Sequence, residues 1–323
     1  MSLSEDDLIA RYFAPLAGEA GLGLKDDVAL LTPPAGADLV LTADALVSGV
    51  HFFADDPPEW IAAKALRVNL SDLAAKGATP LGFLLSLALP RGFAPEWLEG
   101  FARGLGQDAK TYACPLIGGD TVETPGPLTL SITALGAVER GRMPARMGAK
   151  PADRIYVTGT IGDGALGLQL RMGRGPALDD ADRDALIRRY LLPQPRLGLA
   201  PALRFAHAAM DVSDGLVGDL AKMLRASGAS GRLDLAEVPL SAAARAYLAA
   251  EPAAIEIAAT GGDDYEVLAC VPPAAAAEFE AVAALASIAV RAVGEVAQGS
   301  AALSVVGLDG APAQFARGSY SHF

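Results

Sequence analysis

The stretch GGDDYE, residues 261 to 266, sets Asp263, Asp264 and Glu266 behind a pair of glycines in a chain that is 52% hydrophobic. Carboxylates held this close repel, and burying them is costly unless positive charge meets them. The stretch calls for a cation. KDDVALL carries Asp26 and Asp27, LTADALVSGVHF carries Asp44, VNLSDLAAKGA carries Asp72, LIGGDT carries Asp120, and DVSDGL carries Asp211 and Asp214. Each of these aspartates alone makes a good turn or helix-cap residue. Capping does not account for six motifs that each set a carboxylate against Gly, Ser or Thr at the end of an apolar element. Hard oxygen donors without His or Cys partners point to Mg2+, which keeps waters and is shared with substrate phosphates. The expected cation is therefore magnesium arriving with a nucleotide.

The elements that must position these acids alternate between extended and helical patterns. Residues 38 to 46 read as a strand running into a loop, 59 to 77 as a long helix closed by Gly77, and 81 to 89 as an apolar strand. On that helix Asn69, Asp72 and Lys76 fall at i, i+3 and i+7, one stripe beside apolar neighbours, which makes them a lining. A helix over 96–112 and strands over 115–117 and 128–138 complete a first half of mixed α/β type. The segment 139–154, with three arginines ahead of Lys150, a fourth at Arg154 and little periodicity, reads as a linker. A strand over 154–158 and alternating helices and strands to about Val306 form the second half. At 323 residues the chain exceeds a usual single core, so two domains are expected, 1–140 and 141–323.

Composition narrows the function classes. A net charge of −12 and a pI near 4.7 argue against general affinity for nucleic acid or anionic membranes. The longest apolar run, from Phe83, is far short of the roughly 20 residues a spanning helix needs, and the N-terminus lacks a secretory pattern. A soluble cytoplasmic protein is expected. Cys114 and Cys270 are the only cysteines, too few and too isolated for a zinc knuckle or a disulfide framework. GDGALG, 162 to 167, satisfies GxGxxG between a strand and a helix, but no acidic strand end follows about 20 residues on to hold a ribose, so plain strand-turn-helix packing is the stronger reading. There is no Walker loop.

In order, DDVALL, LTADALVSGVHF, VNLSDLAAKGATP, GGDT, RMGAKPAD, DVSDGL, GGDDYE and the terminal GSYSHF resemble the thiamine-monophosphate kinase family of the aminoimidazole ribonucleotide synthetase superfamily. The likeness spans nearly the whole chain. It implies a two-domain α/β protein, homodimeric through a mixed sheet in its N-terminal half, with a second α/β domain following. It implies transfer of the γ-phosphoryl group of ATP to thiamine monophosphate, with several Mg2+ ions bridging phosphates. Carried over by position, it makes Asp27, Thr42, Ala43, Asp44, Asp72, Asp120, Asp211 and Asp214 metal ligands, with Asp44, Asp72, Asp120 and Asp211 central to catalysis. Gly119, Asp120, Arg146 and Ser213 would contact ATP, and His51, Asp263, Asp264 and Tyr320 would hold thiamine monophosphate. Ala43 stands where the family often has a hydroxyl residue, so a ligand there is its backbone carbonyl. Lys25 stands where glycine is common, and Asp263 replaces the usual glutamate.

The chemistry is consistent with so acidic a chain. Phosphoryl transfer is mostly positioning and charge neutralisation, which a metal-loaded carboxylate site can supply. A phosphate monoester acceptor, with a second pKa of about 6, has no proton that must be removed, so no dedicated general base is expected. Read without the resemblance, His51 is a hydrogen-bonded histidine at a strand end, and Arg142, Arg146 and Lys150 are a solvated linker. Three other readings stay open at this stage: a sister ATP-using enzyme of the superfamily, a non-catalytic metal- or thiamine-binding protein, and an oxidoreductase resting on GDGALG alone.

Overall fold

The computed structural model describes residues 4–315 and 318–320. The chain divides into two compact units, residues 1–73 with 78–141, and residues 74–77 with 142–323.

The first unit is built on β1 (Ala37–Val47), α1 (Pro58–Ala75), β2 (Thr79–Pro90), α2 (Pro95–Thr111), β3 (Leu116–Thr124) and β4 (Thr129–Glu139). Its four strands lie in the order β1-β4-β2-β3, antiparallel except for the β2–β3 pair. Alternation separates the two faces. Val40, Leu46, Leu85, Leu87, Leu130 and Ile132 are buried, while Leu39, Leu41, Leu84 and Val122 are exposed on the opposite side. α1 lies against the buried face, where the Thr42 hydroxyl donates to Asp72 and the Asp44 amide donates to Asn69 Oδ1 at 3.1 Å.

Two strands run further than their sequence patterns suggest. β1 continues through Thr42, Ala43 and Asp44 to Val47, and β3 continues through Gly119 and Asp120 to Thr124. Both are edge strands, so a polar residue can sit within them and still reach solvent or a cavity. Asp44 and Asp120 therefore belong to strand interiors, not to the loops beyond them.

The second unit is built on β5 (Arg154–Thr158), α3 (Asp163–Arg171), α4 (Asp180–Leu191), β6 (Ala208–Val212), α5 (Leu216–Ser227), β7 (Ser230–Asp234), α6 (Ala242–Ala250), β8 (Glu266–Val271), α7 (Ala276–Leu285), β9 (Val290–Ala297), β10 (Leu303–Val306) and β11 (Pro312–Ala313). Its sheet has the order β11-β10-β7-β9-β5-β8-β6, antiparallel apart from β10–β7. β5, β6 and β8 are almost wholly buried. One apolar cluster joins Leu216, Leu220 and Met223 of α5 to Ile155, Met210 and Leu268, and another packs Phe279 of α7 against Tyr156 and Val267.

The arginine-rich segment is anchored, not loose. The Ala145 carbonyl accepts from the Ala209 amide at 3.1 Å, the Gly148 and Ala149 amides donate to Ser227 Oγ, and Asp153 accepts from the Lys150 amide at 2.8 Å. Both cysteines are buried and unpaired, and burial drives the Cys114 thiol up to about 12. Among the described residues no helix is long and apolar enough to cross a membrane.

Candidate active site

In the first unit the predicted acids fall on two faces of one sheet. Strand pairing matches Asp44 with the buried Ile132, which places Asp44 and Thr42 on the face toward α1. It matches Asp120 with Ser86, whose side chain is exposed, so Asp120 is on the other face. Asp72 meets Thr42 from α1. Ala43 points away from both, with the exposed residues.

On the Asp120 face lies a cavity of about 650 Å3, within the range of small-ligand sites. Asp26, Asp27, Gly118, Gly119 and Asp120 line its polar part, and Ile9, Phe13, Leu24, Leu84 and Leu135 its apolar wall. Asp27 and Asp120 are exposed, and their side chains make no hydrogen bond or ion pair within the described residues. Gly119 has a reason to be glycine besides any ligand. A Cβ there would stand 1.9 Å from the Leu85 carbonyl oxygen, so β2 and β3 could not pair. The apolar wall is missing from the sequence reading, because nothing in the N-terminal segment alone ties Ile9 and Phe13 to a glycine motif a hundred residues later.

His51 follows β1. Its Nδ1 accepts from the Val47 amide at 3.0 Å, which puts the ring proton on Nε2, and its carbonyl accepts from the buried Lys64 ammonium at 3.1 Å. The backbone thus fixes the ring's tautomer and position.

The second unit answers the question raised by GGDDYE. Glu266 is fully buried and meets Arg189 at 2.9 Å, Arg196 Nε at 2.7 Å and the Thr158 hydroxyl at 2.6 Å. The cations for this acid are two arginines of the chain itself, not magnesium. Asp264 is likewise buried. Its two oxygens accept from the amides of Gly162 and Gly164 at 2.8 and 3.1 Å, the N-terminal turn of α3. Burial pushes its carboxyl well above the ordinary carboxylate range, against the pull of the two amides.

The same contacts dispose of the dinucleotide reading. The helix start that would cradle a pyrophosphate is already filled by the Asp264 carboxylate. A Cβ on Gly164 would fall 2.2 Å from the Asp263 carbonyl oxygen, and one on Gly167 2.1 Å from the Leu186 carbonyl oxygen. GDGALG is a packing motif.

Of the two neighbouring aspartates, Asp264 turns inward and Asp263 stays half-exposed. Asp263 and Tyr265 both adopt left-handed φ, 62° and 53°. Such strain costs about 1–3 kcal/mol per residue and collects at functional sites. It is held by backbone bonds, from the Asp263 amide to the Ser213 carbonyl at 2.9 Å and from the Tyr265 amide to the Val212 carbonyl at 2.8 Å.

DVSDGL forms the end of β6 and the turn into α5. Asp211 is buried, while Ser213 and Asp214 are half-exposed. Asp219, wholly buried, accepts from the Ser213 and Asp214 amides at 3.0 and 2.9 Å. Lys222 bridges Asp214 Oδ2 and Asp219 Oδ1, at 2.5 and 2.9 Å. Burial raises the Asp219 carboxyl, with Lys222 working against it. The Tyr320 amide donates to the Asp214 carbonyl at 3.0 Å, which ties residue 320 to this turn, with the Tyr320 side chain 47% exposed. Ser321, His322 and Phe323 lie outside the described residues. Arg146 is exposed on the anchored segment. Asp219 and Lys222 are absent from the sequence reading, although their i, i+3 spacing directly after DVSDGL was a usable signal.

Among the described residues no three His, Cys, Asp or Glu side chains are assembled to hold a metal ion, so the carboxylates are not a preformed cage. The donor set still fits Mg2+. That ion takes one or two carboxylates and fills its octahedron from water and phosphate oxygens, and Asp27 and Asp120 offer carboxylates with no partner among the described residues.

These features define a class. Residues 25–138 match the model of the N-terminal domain of AIR synthase related proteins, and residues 150–305 match that of their C-terminal domain. Thiamine-monophosphate kinase from Caulobacter vibrioides is 46% identical over 302 residues, covering 92% of this chain and 85% of that protein. The crystal structure of thiamine-monophosphate kinase from Stenotrophomonas maltophilia K279a superposes with a TM-score of 0.83 at 39% identity, covering 97% of this chain and 99% of that one. AaThiL complexed with AMPPCP and TMP superposes with a TM-score of 0.78 at 30% identity, covering 100% and 99%. The chain belongs to the thiamine-monophosphate kinase family.

Proposed function

We propose that the protein transfers the γ-phosphoryl group of ATP to thiamine monophosphate, giving ADP and thiamine diphosphate, with Mg2+ as the metal. An oxygen of the acceptor phosphate attacks the γ-phosphorus, and the bond from that phosphorus to the β–γ bridging oxygen breaks in line. Family membership supports the substrates, and the AaThiL complex with AMPPCP and TMP supports both ligands. The observation that carries the reading is the pair Asp27 and Asp120, two carboxylates without partners among the described residues, on a 650 Å3 cavity beside the Gly118–Gly119 backbone.

In this reading residues 1–140 are the nucleotide, metal and dimerisation domain, and 141–323 the second α/β domain. Asp27, Asp44, Asp72 and Asp120, with Thr42 and the Ala43 carbonyl, would hold Mg2+ ions in the first unit, and Asp211 and Asp214 would do so in the second; the ions would supply positive charge against the phosphates. Gly119, Arg146 and Ser213 contact the nucleotide. His51, Asp263 and Tyr320 hold the thiamine end, and Asp264 supports Asp263 by fixing the α3 turn behind it. No side chain has to remove a proton from the acceptor. The protein is cytoplasmic in this reading, and a homodimer is consistent with the exposed Leu39, Leu41, Leu84 and Val122 on one face of the four-stranded sheet, an apolar face that a second copy would cover.

Incubation of the purified protein with ATP, thiamine monophosphate and Mg2+ should yield thiamine diphosphate and ADP in equal amounts, and EDTA should stop it. ATP consumption without thiamine diphosphate would move the protein to a sister activity. Full turnover in EDTA would remove the metal from the mechanism.

A further inference from the structure

We propose that Lys222 is a built-in competitor of the divalent cation at Asp214, holding that carboxylate in the metal-free protein and retreating onto Asp219 when the ion binds. The inference rests on the reading of Asp214 as a metal ligand given above.

The geometry around Lys222 is asymmetric. Its ammonium reaches Asp214 Oδ2 at 2.5 Å and Asp219 Oδ1 at 2.9 Å. The Asp219 side chain is 1% exposed and is pinned by the Ser213 and Asp214 amides, so it cannot follow a moving partner. The Asp214 side chain is 39% exposed and sits on the turn. Asp214 can therefore exchange one cation for another, whereas Asp219 cannot.

Without Lys222 two carboxylates on one short turn would repel until metal arrived, and one of them is buried. With Lys222 in place one ammonium is shared by the two carboxylates, which lowers their combined charge from −2 to −1. A divalent ion that takes Asp214 leaves the lysine its other, buried partner, so neither Asp219 nor the ammonium is stranded. The cost is that every ion must displace an ammonium from Asp214 before it binds there.

Mn2+ binding without nucleotide, followed by the EPR signal of the free ion, reads this directly. The relevant site is the one lost in Asp214→Asn. At that site Lys222→Gln should bind Mn2+ about tenfold more tightly than wild type, as expected when a competing unit charge is removed near a protein surface, and Lys222→Arg should stay near wild type. Because Lys222→Gln leaves a buried carboxylate without its cation, the double variant Asp219→Asn/Lys222→Gln serves as the second arm, and it too should bind more tightly. Unchanged or weaker Mn2+ binding in both would overturn the proposal. If Asp214→Asn loses no Mn2+ site, the assignment of Asp214 as a ligand fails and this proposal falls with it, whatever the kinase assay shows.

Discussion

The acids of the first unit resemble the GGDDYE acids in sequence, yet the two groups live in opposite circumstances. The Asp27 and Asp120 carboxylates border a cavity with no partner among the described residues, and Asp72 has the neutral Thr42 hydroxyl. Glu266 is enclosed by Arg189, Arg196 and Thr158, and Asp264 by two backbone amides. In these two groups the buried acids whose partners are already in the chain serve the fold, whereas the exposed ones left without them need charge from outside. The distinction turns on who supplies the cation, not on how many acids stand together.

The sharpest way to break this comparison is to remove one acid of each kind. Glu266→Gln leaves two arginines facing a neutral group in a buried site and should cost about 3–5 kcal/mol of stability, read by urea denaturation. A stable Glu266→Gln protein would end the claim that this acid is structural. Asp120→Asn and Asp72→Asn should keep wild-type denaturation midpoints and lose at least about 100-fold in turnover, the scale of one electrostatic contact to a transition state. Unfolding in either would reassign it to the fold. The Tyr320 side chain, exposed at a residue tied to the Asp214 turn, should lie between the two classes. Tyr320→Ala should raise KM for thiamine monophosphate about tenfold through lost stacking and cation–π contact and leave KM for ATP unchanged. Equal rises in both constants would mean that the turn at Asp214 has collapsed.

The smallest effect concerns pH. Asp264 has a folded-state pKa raised above its ordinary value of 3.8. Its contribution to stability is therefore fully present below that value and is lost as pH rises through the higher folded one. Asn at this position does not titrate, so the stability gap between wild type and Asp264→Asn should narrow as pH rises above the ordinary carboxylate value of 3.8. A gap that widens would mean that the two amides hold the carboxylate ionised.

The two-domain α/β architecture was legible because its elements carry strong periodicity, as in the helix ending at Gly77 and the apolar strand after it. The extents of β1 and β3 were not. A polar residue inside an edge strand breaks the apolar run that marks a strand, so Asp44 and Asp120 read as lying beyond it. The demand of GGDDYE for positive charge could be read from the acids alone, but its source could not. Arg189 and Arg196 lie 77 and 70 residues from Glu266 in sequence and meet it only once β5 and β8 have paired. The opposite facing of Asp44 and Asp120 was hidden for a related reason, since it depends on which strand neighbours which.

The Asp264 carboxylate on the α3 amides has a consequence for how glycine motifs are interpreted. GDGALG encodes a socket for an anion, and the occupant is decided a hundred residues later by which side chain arrives. A protein with the same socket and a smaller residue at that later position would present bare amides to solvent and could recruit a free oxyanion. In this chain Asp264→Gly should create such a vacancy, and formate or phosphate from the buffer should restore part of the lost stability. A motif search that reads only the glycines has no means of distinguishing an open anion site from a turn capped by the chain's own carboxylate.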